Sequence, residues 1–159
     1  MSGLPEARSL DARPRTAVTW PRPDVAHVVL EGEHDMASAP DLKRALGDLL
    51  LTCSQLLVDL SSVQFIDSST IKVLIRMKRE ADDRRCDFRL VLNGDAPNIE
   101  HTLEICGVLG ALNRVATVDA ALMNGGGAAR SGRIPAGNRQ LHREPPVDST
   151  PVQRPSANR

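Results

Sequence analysis

Three features of this 159-residue chain predict an α/β fold: a small mixed β-sheet, mostly parallel with an N-terminal edge hairpin, packed against helices. Strand-like and helix-like apolar patterns alternate from Val25 to Met123, the signature of helices layered on a largely parallel sheet. Leu56–Leu60 and Phe88–Leu92 are short, continuous apolar runs, as expected of strands covered on both faces. Ahead of them, Pro21-Arg22-Pro23-Asp24 separates two strand-like runs, which predicts a hairpin.

The elements follow in order. Thr16–Trp20 and Val25–Glu31 are the arms of the hairpin. Ser38-Ala39-Pro40 opens a helix, with Ser38 as an N-cap type and proline tolerated in the first turn, where its missing N–H would be unpaired anyway. Leu42, Ala45, Leu46, Leu49 and Leu50 then form an apolar stripe at helical spacing. The strand at Leu56–Leu60 runs into a loop over Ser61–Ile66, and a second helix follows Asp67-Ser68-Ser69-Thr70, with Ile71, Leu74 and Ile75 on one face. After the Phe88–Leu92 strand, Pro97 begins a helix carrying Ile99, Leu103 and Cys106, and Gly107 ends it. Val115–Val118 is the last strand, and Asp119 caps a short final helix.

Composition bounds the domain. Only two of the 11 prolines, Pro40 and Pro97, fall between Val25 and Met123. Residues 1–15 read as a loose leader, 16–123 as the domain, and 124–159 as a Gly-, Pro- and Arg-containing tail that has too little apolar surface to offset its chain entropy. With no Tyr, one Trp and two Phe, the core is aliphatic, and aromatic platforms for single-stranded nucleic acid are missing. Val25–Met123 holds ten Lys and Arg against fifteen Asp and Glu, a net of −5, and the tail is net +4. An acidic domain repels a phosphate backbone, so neither DNA nor RNA is expected as a direct partner. No segment has the length of a membrane span or the apolar run of a signal peptide, so no membrane association is expected and the location read from sequence is cytoplasmic. Cys53, Cys86 and Cys106 lack metal-ligand spacing and are odd in number, which suits reduced thiols.

Two segments carry candidate chemistry. Asp67, Ser68, Ser69 and Thr70 cluster hydroxyls at a helix start, where unpaired N–H groups and the helix dipole favour negative charge. Phosphate on Ser68 or Ser69 would alter the surface there rather than the fold. Asp and Ser ahead of a helix are also ordinary N-caps, and spacing alone favours that account. Glu31-Gly32-Glu33-His34-Asp35 gathers carboxylates and an imidazole, but without a second His it reads as solvated loop charge rather than a metal site. The strained serine elbow of a hydrolase needs flanking glycines that Asp67–Thr70 lacks. His27, His101 and His142 show no partner role, and Gly125–Gly127 is not followed by the Lys of a phosphate loop. Neither catalysis nor a cofactor is expected.

Three stretches together resemble the STAS family, the sulphate transporter and anti-sigma antagonist domains: Val28–Asp35, Leu57–Ser69 and Leu103–Val108. Members of that family carry a Gly-Glu-Leu-Asp or Gly-Glu-Ile-Asp turn, an Asp-Ser-Ser-Gly helix start and a Leu-x-x-x-Gly-Leu segment, in the order and spacing seen here. The resemblance spans about Thr16 to Met123 and implies a STAS-like sheet-and-helix fold. In the anti-sigma factor antagonists of the family, the serine after the motif's Asp is phosphorylated by a partner that is both serine kinase and anti-sigma factor, and a serine phosphatase resets it. That position is Ser68. The resemblance also sets Asp35, Ser38, Asp67, Ser69 and Thr70 with Ser68 on the partner-binding surface. Two residues depart from the pattern: Thr70 stands at the motif's glycine, and His34 replaces the aliphatic residue of the turn. A rival reading within the family is a fixed, unphosphorylated adaptor subunit of a stress-signalling or lipid-transport complex, in which Ser68 is only a cap. A hydrolase using Ser68 would be labelled by fluorophosphonates, and no labelling is expected.

Overall fold

The computed structural model describes residues 12–124. Strands β1 (Arg15–Arg22) and β2 (Val25–His34) pair antiparallel around Pro23-Asp24. Helix α1 (Ala39–Leu50), strand β3 (Gln55–Ile66), helix α2 (Ser68–Arg84) and strand β4 (Asp87–Val91) follow. Helix α3 (Pro97–Ile105), a 3-10 turn (Gly110–Leu112), strand β5 (Arg114–Val115) and helix α4 (Val118–Asn124) complete the order. The five strands lie in sequence order, antiparallel at the hairpin and parallel thereafter. This is the mixed sheet that the alternation of patterns predicted. The parts of the expected leader and tail at residues 1–11 and 125–159 lie outside the described residues.

The helices build one main core against the sheet. From α1, Leu42, Leu46 and Leu50 are buried, as the leucine stripe required, and each buried leucine contributes about 2 kcal/mol of transfer free energy. From α2, Leu74, Met77 and Ala81 meet Leu56, Val58 and Leu60 of β3 and Phe88 and Leu90 of β4. Phe88 is the one aromatic buried among the described residues; Trp20 and Phe65 are exposed. A smaller cluster on the other side joins Val25, Leu57 and Val91 to Ala121 of α4, so the continuous apolar runs of β3 and β4 are covered on both sides.

Several boundaries differ from the sequence reading. The segment Ser61–Ile66, expected as a loop, continues β3, because β2 pairs with it as far as His34 and Ile66 and its Val63 and Ile66 are buried. Two irregularities in that pairing, between Val29 and Glu31 and between Gly32 and Glu33, break the two-residue period that marks a strand in sequence. Ser38 precedes α1 but makes no capping bond with its side chain. The Asp35 carboxylate instead accepts the N–H groups of Ala37 and Ser38 at 2.9 and 3.1 Å. The last strand is Arg114–Val115 rather than Val115–Val118, matched to the short β4. The Thr117 hydroxyl, not Asp119, accepts the N–H of Ala120 at the start of α4. Gly107 does follow α3, with φ +68 and its N–H on the Glu104 carbonyl.

Candidate functional site

The C-terminal ends of β2 and β3 lie side by side, and each feeds a helix, α1 and α2 respectively. At the end of β3, Asp67 has extended backbone angles and is the N-cap of α2; its carboxylate accepts from Ser69 and Thr70 N–H, both at 2.9 Å. These bonds, with the backbone N–H of Met36 also directed at the carboxylate, hold its pKa below the usual 3.8. Capping therefore belongs to Asp67. Ser68, the first residue of α2, is exposed, and its hydroxyl has no hydrogen-bond partner among the described residues.

The neighbouring turn is joined to this helix start from beneath. The His34 carbonyl accepts two bonds, from Asp67 N–H at 3.2 Å and from the Thr70 hydroxyl at 2.9 Å. Thr70 is fully buried, so the hydroxyl that sequence reasoning set on the outer surface works from inside, tying α2 to β2. Asp35 is exposed and organises the turn before α1; Ser38 is half-buried, accepting Asp35 N–H at 3.0 Å and donating to the Asp35 carbonyl at 3.1 Å. Asp35, Ser38, Asp67, Ser68 and Ser69 thus belong to two adjoining loops at one end of the sheet, with Thr70 as their internal tie.

His34 corrects the expectation of solvated charge. Its side chain is 1% exposed, and Nε2 lies 3.1 Å from the Glu31 carbonyl. Burial lowers its pKa from the usual 6.5, against smaller raising effects of backbone hydrogen bonds and Asp35. Glycine is required at position 32, where φ is +78 and a Cβ would stand 2.4 Å from the Arg13 carbonyl oxygen. Ala12 and Arg13, assigned by sequence to the loose leader, pass directly beneath; the Ala12 carbonyl accepts Glu33 N–H at 2.9 Å.

Sequence reasoning missed three residues here. Met36, 74% exposed, and Phe65, 50% exposed, border the motif residues in the chain; the available signal for Met36 was a large apolar side chain inside an otherwise polar segment, whereas Phe65 stands between Gln64 and Ile66. His27 proves to have partners, the Thr19 hydroxyl at 3.2 Å and the Asp59 carboxylate at 3.1 Å, linking three strands away from the helix-bearing loops. No group of three or more His, Cys, Asp or Glu among the described residues is placed to hold a metal ion. No helix among them is long and apolar enough to cross a membrane.

The family model described as "Mlab, STAS domain" matches residues 21–118, more than half of the chain. The chain belongs to the STAS domain family. A comparison with curated proteins finds no match. Among solved structures, this STAS domain is similar to an anti-sigma factor antagonist from Mycobacterium paratuberculosis at 28% identity, TM-score 0.63, covering 73% of this chain and 97% of that one. The unphosphorylated anti-sigma factor antagonist SpoIIAA has the same fold at 16% identity and TM-score 0.61, over 72% and 98% of the two chains. The phosphorylated Bacillus SpoIIAA matches at 17% identity and TM-score 0.54, over 69% and 98%. The resemblance read from the three motif stretches, a STAS domain of the anti-sigma antagonist type, agrees with these findings.

Proposed function

We propose that this STAS domain is an anti-sigma factor antagonist whose binding to an anti-sigma factor with serine kinase activity is switched by phosphorylation of Ser68. The observation that carries the reading is the free, exposed hydroxyl of Ser68 beside a carboxylate that already caps the helix. A kinase can take that hydroxyl without breaking a hydrogen bond of the fold. Phosphate at the start of the 17-residue α2 also sits where the helix dipole favours an anion, while Asp67 keeps the Ser69 and Thr70 N–H groups. SpoIIAA, which shares the fold, has been solved both with and without phosphate.

The consequence follows from charge. Phosphorylation adds about −1.5 to −2 units at neutral pH, next to Asp67 and close to Asp35, on a domain already at −5. A partner packed over this end would bury that charge unpaired, at a cost on the order of several kcal/mol, and would let go. Unphosphorylated, the domain keeps the partner and the sigma factor is free to direct transcription; a serine phosphatase restores that state. Met36 and Phe65 supply apolar contact area at the rim of the same surface. The domain acts as a binding switch, without catalysis of its own.

Phosphosite mapping of the protein isolated from its native cells tests this reading. Phosphate on Ser68 is the expected result. A stable complex in cells with no phosphate on Ser68 under any growth condition would instead leave a fixed STAS adaptor.

A further inference from the structure

At the other end of β3 from Ser68, two cysteines far apart in sequence come together. Cys53 stands two residues before β3 and Cys86 one residue before β4, and their Sγ atoms are 3.8 Å apart. Both backbones are fixed by helix ends. Cys53 N–H bonds the Leu49 carbonyl at the end of α1 at 3.0 Å, and Cys86 N–H bonds the Ala81 carbonyl at the end of α2 at 2.8 Å. Between them, Asp87 N–H bonds the Ser54 carbonyl at 2.9 Å, locking the two connections side by side. Cys53 is partly exposed and Cys86 is 5% exposed. A disulfide needs sulfurs about 2.05 Å apart, so the two side chains must move closer for the bond to form.

We infer that Cys53 and Cys86 form an oxidisable dithiol, a redox modification site that closes an internal disulfide when the protein meets hydrogen peroxide. The two thiols have distinct roles. The hydrogen bond from Cys86 favours the Cys53 thiolate and lowers its pKa, whereas the same pairing, with burial, pushes Cys86 up. Cys53, the more accessible of the two, is the attacking sulfur, and the buried Cys86 is the resolving one. In the first step the Cys53 thiolate attacks one peroxide oxygen, the O–O bond breaks, and hydroxide leaves and is protonated to water. Sulfur is oxidised by two electrons to the sulfenic acid and the peroxide is reduced. In the second step Cys86 attacks that sulfur, the S–O bond breaks, the S–S bond forms, and a second water departs with the Cys86 proton. Such a bond in a reducing compartment is transient, as expected of a sensing rather than a structural pair.

The test uses the full-length chain carrying Cys106→Ser, which removes the exposed third thiol, treated with hydrogen peroxide and mapped by mass spectrometry after alkylation. The expected product is monomeric, lighter by two hydrogens, with Cys53 and Cys86 in one linked peptide pair that dithiothreitol separates. Cys86→Ser is expected to stop at a Cys53 sulfenic acid trapped by dimedone, while Cys53→Ser leaves Cys86 unmodified. If either variant fails to fold, the mapping on the Cys106→Ser chain decides alone. Two thiols that stay alkylatable after peroxide treatment, or Cys53 driven to sulfinic acid beside a free Cys86, would overturn the assignment.

Discussion

Asp67 and His34 are the two residues whose side chains do most to define the site, and each makes a testable demand on stability. Asp67 satisfies two N–H groups of α2 that would otherwise be unpaired, so Asp67→Ala is expected to lower stability by about 1 kcal/mol, read as a shift of the urea midpoint at unchanged m-value. His34 is held neutral by burial, with a pKa below 6.5. The folded state therefore binds its proton less readily than the unfolded chain does. The stability this contributes is complete above pH 6.5 and is lost as pH falls below 6.5 through the lowered folded pKa. Urea titrations across that range should show the decline, and His34→Leu, which restores the family's aliphatic residue, should flatten it. Identical slopes in the two proteins would assign the decline to other groups. Neither property was legible from composition: Asp67 and Ser68 were equal candidates for capping in sequence, and only backbone geometry separates the cap from the free hydroxyl beside it.

At the scale of the element, α2 is tied to β2 by a buried side-chain hydrogen bond, the Thr70 hydroxyl on the His34 carbonyl. The family motif has glycine at this position, yet Thr70→Gly is expected to destabilise this chain by about 1–3 kcal/mol, since it removes a buried hydrogen bond, leaves a small void and adds chain entropy. Thermal melts of the variant check this; a neutral effect would show that α2 is held by its apolar face alone. Gly32→Ala should also destabilise, by about 1–3 kcal/mol, because the added Cβ meets a backbone carbonyl at a positive φ. The strands and helices themselves were legible wherever their apolar periods were long: the leucine stripe of α1, the continuous runs of β3 and β4, and the Pro97 and Gly107 limits of α3 all appear where expected. What escaped was set by pairing rather than period. Ser61–Ile66 reads as a loop because irregular register with β2 disrupts its alternation, and β5 pairs with β4 only through Arg114 and Val115.

For the whole molecule, the parallel sheet places the ends of β2 and β3 together, so that residues some thirty positions apart in the chain, Asp35 and Ser68, belong to one surface. That convergence is what a motif reading anticipates and a residue-by-residue reading does not, since it depends on strand order. The opposite end of the same sheet brings Cys53 to Cys86, a proximity that sequence separation concealed. The proposed phosphate on Ser68 would change charge on an exposed helix start, so its expected effect is on partner binding and not on folding. Paired capture with Ser68→Ala and Ser68→Asp baits in lysate from the native cells tests this most directly. The account predicts that an ATP-binding anti-sigma kinase is retained by the alanine bait and lost from the aspartate bait. Retention of the same proteins by both baits, or of no such kinase by either, would contradict the switch.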